Sequence, residues 1–330
     1  MIRVKPCLCM LFVVLMAGGV PPRLAHAQSD YPSRPVRLVI PFAPGGNTDI
    51  SGRVLAAKLS PLLGQQFIID NRAGADGAIG SAEVARRAKP DGYTLLLGTG
   101  GSHIISPLTR KDPAFDPVKD FAPIAVFAVV SQGYAAHPSV AKSLQELIKR
   151  VKSNPGKFSY GSAGLGGLGN LAGELFKRQA GGLDIVHIPY KGGGPSVQDL
   201  MAGQIPLAVV SFSSTLELHR SGKVRLLAVF SEKRLSTAAD VPTAIESGIP
   251  GMVAYSFTVL LAPTGTPKPV IDRLYDAVAK IMADPAFHKE LTGLGLEAVT
   301  DSSPDKAAQF IRDEIARWAP IVKAVGVSAQ

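Results

Sequence analysis

Beyond residue 9 the chain contains no cysteine, since Cys7 and Cys9 both fall within the first 27 residues. Disulfides and thiolate metal sites are therefore excluded from the rest, and stability has to come from core burial alone. Histidine is sparse as well. His103, His137, His187, His219 and His288 are not spaced as a metal-binding pair, and no acid-base pair is legible around them, so neither a metal nor a cofactor is expected. The apolar run from Cys7 to Val20 is interrupted by Gly18 and Gly19 and stops short of the roughly 20 residues that span a bilayer. Clustered charge is also missing. The net charge of +9 falls to +6 once Arg3, Lys5 and Arg23 are set aside, leaving 32 basic against 26 acidic residues. Basic residues come together at most in short stretches such as Arg86, Arg87 and Lys89, which speaks against a nucleic-acid partner.

The first 27 residues carry Arg3 and Lys5, then the apolar run, then Ala25-His26-Ala27, the small-x-small pattern of a signal-peptide cleavage site. The expected mature chain begins at Gln28 and is exported to the periplasm. About 300 residues with 34 glycines and 26 prolines in the whole sequence suit a compact α/β chain with many tight turns.

From Val36 onward, short β-branched runs alternate with amphipathic stretches. Strands are expected at 36–41, 67–70 and 94–98, and helices at 49–63 and 78–88. A proline-rich stretch leads into a long apolar run at 124–136, read as a strand that leaves the first sheet. A second unit repeats the theme: helices at 143–152, 169–179 and 195–202, and strands at 157–162, 184–189, 207–212 and 224–230. A further buried run at 256–262 and helices at 269–283 and 304–324 return to the first unit. The pattern predicts an α/β protein with mostly parallel sheets in two domains joined by two crossing strands. Residues 28–126 and 254–330 form domain 1, residues 127–253 form domain 2, and a cleft lies between them.

In open parallel sheets, ligands bind beyond the carboxyl ends of the strands. Three glycine-bearing loops stand there. The first is Phe42-Ala43-Pro44-Gly45-Gly46-Asn47-Thr48-Asp49, in which Thr48 or Asp49 is positioned to cap the next helix. The second runs from Ser162 through Gly164, Gly166 and Gly167 to Asn170, and the third is Tyr190-Lys191-Gly192-Gly193. Helix starts behind such loops bind anions through backbone N–H groups. Gly164, Gly166 and Gly169 also match G-x-G-x-x-G, but the next strand carries its acidic residue, Asp184, at its start instead of its end, where a ribose-binding group belongs. A serine-hydrolase elbow at Ser162 would require glycine where Tyr160 stands. Lys191 is placed to pair with a carboxylate, and Phe42 and Tyr190 to stack on a ring or to fill the core.

Taken together, the order and spacing of several motifs resemble the substrate-binding proteins of tripartite tricarboxylate transporters, the Bug family of periplasmic receptors. The motifs are Pro41-Phe42-Ala43-Pro44-Gly45-Gly46, Asn71-Arg72-Ala73-Gly74, Pro90-Asp91-Gly92-Tyr93-Thr94-Leu95, Tyr160-Gly161-Ser162, Pro189-Tyr190-Lys191-Gly192-Gly193, Asp240-Val241-Pro242-Thr243 and Ala262-Pro263-Thr264-Gly265-Thr266-Pro267. The resemblance implies a type II periplasmic-binding-protein-like fold, with a ligand carboxylate held by helix N-termini, backbone amides and bridging waters. It assigns the first and second loops to the ligand, and membrane transporter subunits as partners of a monomeric receptor. An exported α/β enzyme using the Ser162 loop and a sensor feeding a signalling receptor are the alternatives. The chain departs from the family pattern at Gly166-Gly167 and Asn170, where a hydroxyl residue and a histidine are usual, and at Phe257, Val259 and Ile205-Pro206.

Overall fold

The computed structural model describes residues 31–326 together with Met1 and Ile2. The expected signal peptide and its cleavage site lie outside the described residues. Tyr31 onward forms one compact unit.

The chain opens with β1 (Val36–Ile40), α1 (Asn47–Leu63), β2 (Phe67–Asn71), α2 (Ala78–Arg87) and β3 (Thr94–Thr99). A π-helical turn, Gly100–Ile105, then runs into the short α3 (Ser106–Leu108) and is followed by the long strand β4 (Phe121–Ala136). Next come α4 (Leu144–Ser153), β5 (Phe158–Ser162), α5 (Leu168–Gln179), β6 (Ile185–Pro189), α6 (Gly193–Met201), β7 (Leu207–Ser211), α7 (Leu216–Arg220) and β8 (Arg225–Val229). The chain closes with β9 (Tyr255–Pro263), α8 (Lys268–Met282), α9 (Pro285–Gly293), β10 (Glu297–Ala298) and α10 (Pro304–Val325).

The strands hydrogen-bond in the order β2-β1-β3-β9-β4-β7-β5-β6, with β8 and β10 added along β4. Parallel pairing links β2, β1 and β3 at one end and β6, β5 and β7 at the other. Helices cover these strands on both faces, so β1 and β7 are apolar and buried along nearly their whole length. The expectation of mostly parallel sheets describes these outer strands; β4 and β9 pair antiparallel with everything beside them, because a strand returning across the sheet arrives in the opposite sense. Up to Ser131, β4 pairs with β9, and from Gln132 it pairs with β7 and β8. One strand thus belongs to both ends of the sheet.

Helix boundaries follow local chemistry. α10 starts where Ser303 accepts a hydrogen bond from the Lys306 N–H with Pro304 behind it, and it stops at Gly326, whose φ of 70° is left-handed. α4 is capped by Ser143 and α9 by Asp284 in the same manner. No helix among the described residues is long and apolar enough to cross a membrane.

Candidate ligand-binding site

The loops that follow β1, β3, β5 and β7 meet around a cavity of about 60 Å³. Phe42, Gly46, Asn47 and Thr48 reach it from the first loop, Asp76 from the turn before α2, and Thr99 and Gly101 from the end of β3. Ala163, Leu168 and Gly169 come from the second loop, Gly193 from the third, and Val209, Val210, Ser211 and Ser214 from the end of β7. Gln132 of β4 and Ser256 of β9 complete the lining at the place where the two long strands cross.

Three helices begin at this cavity, and each begins on a glycine: Gly46 for α1, Gly167 for α5 and Gly192 for α6. A glycine N-cap has no side chain to accept from the first-turn N–H groups, and none of the three is capped by a side chain. By contrast α4, α9 and α10, whose first turns do not line the cavity, carry side-chain caps. Uncapped N–H groups with the positive end of the helix dipole behind them accept a carboxylate without any arginine or lysine. The lining contains neither of these, nor histidine.

The first loop is held by a network of its own. α1 starts two residues earlier than expected, so Thr48 and Asp49 occupy its first turn and the cap is Gly46. The Asp49 carboxylate instead accepts from the Gly45 N–H at 3.0 Å, from Asn71 Nδ2 at 3.1 Å and from Arg53 at 3.0 Å. Burial works to raise its pKa, but these hydrogen bonds outweigh it and hold the carboxylate below its ordinary range. Asn71 also donates to the Phe42 carbonyl at 2.9 Å, which gives the Asn71-Arg72 motif its purpose.

The second loop is stapled from beneath. Asn170 Oδ1 accepts from the Gly166 N–H at 3.0 Å, and its Nδ2 donates to the Tyr160 hydroxyl at 3.1 Å. The Ser162 hydroxyl is fully buried, donates to the Gly164 carbonyl at 3.0 Å and lies 2.8 Å from His187 Nε2. This serine-histidine contact was not legible in sequence, because it arises from the register of β5 on β6. Burial pushes the His187 imidazole down to about 4. The hydroxyl does not belong to the cavity lining, so the pair braces the loop and presents no nucleophile there.

The loops also touch each other. The Ala43 N–H donates to the Lys191 carbonyl at 3.1 Å, and a Cβ at Gly194 would stand 2.1 Å from the Pro44 carbonyl oxygen. Ser213 Oγ donates to Asn47 Oδ1 at 3.2 Å, and Thr109 Oγ1 to the Gly166 carbonyl at 3.4 Å.

Of the residues expected to bind ligand, Phe42, Gly46, Thr48 and Gly193 line the cavity. Ala43, Pro44, Gly45 and Gly192 shape the contact between the first and third loops. Asp49, Ser162, Gly164, Gly166, Gly167 and Asn170 stand behind the lining and set its form. Lys191 is exposed and contributes its carbonyl, and the half-buried Tyr190 donates its hydroxyl to Asp199 at 2.7 Å instead of lining the cavity. Sequence reasoning passed over Asp76, Thr99, Gln132, Ser211, Ser214 and Ser256. The loop after β3, with its own Gly98-Thr99-Gly100-Gly101 run, and the end of β7 were both within reach of the strand-end rule and were passed over.

The family described as "Tripartite tricarboxylate transporter family receptor" matches residues 51–327. The chain belongs to this receptor family. It is 36% identical to protein BugT of Bordetella pertussis, over 90% of each chain. Among solved structures, that of the periplasmic binding protein BugD is 37% identical with a TM-score of 0.86, covering 91% of this chain and all of that one. An R. palustris protein with adipate is 35% identical with a TM-score of 0.86, covering 90% and 99%. MatC from Rhodopseudomonas palustris with bound malate is 32% identical with a TM-score of 0.83, covering 88% and 100%. The periplasmic-binding-protein fold and the family resemblance expected from the motifs are therefore borne out.

Two of the departures from the family pattern find a place in this receptor. Phe257 is buried in β9, edge-on to Phe310 of α10 at 4.8 Å, and belongs to the core. Gly167 faces Asp76, and a Cβ there would lie 2.2 Å from Asp76 Oδ1.

Proposed function

We propose that this chain is an exported solute-binding protein that captures a small carboxylate in the cavity described above and delivers it to a tripartite tricarboxylate-type transporter. The observation that carries this is the convergence of three uncapped helix N-termini on one cavity whose lining has no basic side chain. The adipate and malate bound by two solved relatives agree with it. Residues 31–126 and 254–330 make one lobe and residues 127–253 the other, hinged where β4 and β9 cross. The loop contacts between Ala43 and Lys191 and between Asn47 and Ser213 are those of a closed form. Closure persists in solution because the ligand touches both lobes. The role is binding and release in the periplasm, by a monomer, without catalysis.

The test is thermal unfolding of the chain from Gln28 onward, freed of carried-over ligand by unfolding and refolding, against mono-, di- and tricarboxylates. A ligand at about 100 times its dissociation constant adds roughly 2.7 kcal/mol, a shift of several degrees for a chain of this size. Stabilisation by one class of acid is the expected outcome. No shift with any carboxylate overturns the proposal.

A further inference from the structure

Asp76 is the one ionisable side chain in the cavity lining. It is 6% exposed, and its Oδ2 is buried with no hydrogen-bond partner among the described residues. The nearest cation, Arg110, is engaged elsewhere, donating to the Ala75 carbonyl at 2.8 Å and to Ser106 at 2.9 and 2.7 Å. The chain holds Asp76 in place at a conformational cost, since Ala75 and Asp76 both have left-handed backbones, with φ of 49° and 50°. The glycines behind the lining leave room for the carboxyl: added Cβ atoms would lie 2.6 Å from its Oδ1 at Gly164 and 2.2 Å at Gly167.

Three helix starts supply partial positive charge for a carboxylate, so a buried acid in the same small cavity needs a reason. The cavity has room for roughly four to six water-sized groups, so the two ends of a short ligand lie only a few ångströms apart. A second carboxylate beside an ionised Asp76 is repelled, whereas an ammonium there is attracted and neutralises the buried charge. We infer that Asp76 is a subsite for a cationic group, and that the ligand is a short amino acid bearing both a carboxylate and an ammonium. This rests on the carboxylate-binding role proposed above and narrows it. Burial pushes the Asp76 carboxyl up to about 8, with Arg110 opposing, so it is ionised above that range or when an ammonium beside it displaces the proton.

Isothermal titration at pH 8.5, where most of Asp76 is ionised and aliphatic amines are still mostly ammonium, tests the inference with acids of three to six carbons, each offered plain, with an amino group and with a second carboxylate. Wild-type protein is expected to bind an amino form at least tenfold tighter than the matching plain acid or diacid. Asp76→Asn and Asp76→Gly are expected to erase that preference, bringing the amino form and the matching plain acid within about threefold of each other. Both replacements suit the left-handed backbone, and thermal unfolding of each verifies that it folds. If plain acids or diacids bind as tightly as amino acids, or if the preference survives both replacements, the subsite is refuted and the carboxylate role stands. If no acid of any form binds, the carboxylate role falls, and the subsite with it.

Discussion

Asp76 exchanges its proton in a pH range where an unfolded aspartate is already ionised. Its folded pKa of about 8 lies above the unfolded value near 4, so between these limits the native chain holds a proton that the unfolded chain has lost. Its contribution to stability is complete below pH 4 and is lost as pH rises towards 8. His103, buried beside Phe115 and Phe121, and His187 are both pushed down to about 4 by burial. They act in the opposite sense, adding stability as pH rises from 4 to their unfolded range near 6.5, and no more beyond it. Between pH 6.5 and 8.5 the slope from Asp76 therefore stands apart from theirs. The melting temperature of the ligand-free wild type is expected to fall across that interval more steeply than that of Asp76→Asn. Equal slopes would mean that Asp76 ionises in the ordinary carboxyl range.

At the scale of an element, the start of α5 shows how one residue restricts another that is distant in sequence. Serine at a helix N-cap ordinarily stabilises relative to glycine by a few tenths of a kcal/mol. At Gly167 the added Cβ would lie 2.5 Å from Asp76 Cγ, so the better cap forces the carboxyl out of its seat. Gly167→Ser is expected to destabilise the protein by about 1–3 kcal/mol in urea unfolding. In Asp76→Gly the same replacement is expected to be neutral or stabilising, a coupling of at least about 1 kcal/mol in the double-mutant cycle. Additive losses would show that the two positions do not share this space. The elements themselves were largely legible: β-branched runs marked β1, β6, β7 and β8, and the helix expected at 304–324 matches α10. The π-helical turn at Gly100–Ile105 was not, because its hydrogen bonding follows no 3.6-residue apolar period. α9 was missed although Asp284-Pro285 announces it, and the two-residue β10 has no period to read. Glycine loops advertised the cavity, whereas the Asp76–Gly167 contact exists only through space.

At the scale of the whole molecule, the first and third loops meet where α1 and α6 begin. Gly194 packs so close to the Pro44 carbonyl that a methyl group cannot be accommodated at 2.1 Å. Gly194→Ala is therefore expected to hold the two ends of the sheet apart. Small-angle scattering with saturating ligand should give a larger radius of gyration than wild type, and affinity should fall at least tenfold. The ligand-free melting temperature should change by no more than a few degrees. Unchanged affinity and compaction would show that closure does not pass through this contact.

The bond from the Ala43 N–H to the Lys191 carbonyl joins main chain to main chain, so no side chain specifies it. Selectivity, on the inference drawn above, resides by contrast in side chains such as Asp76 and in the space left by Gly167. Recognition and latching are in this way separable. Replacing the cavity side chains can re-cut the chemistry of the cargo while the clasp keeps its geometry. Under the proposed function, a transporter that reads the outline of the shut receptor would then meet the same surface whatever molecule is inside.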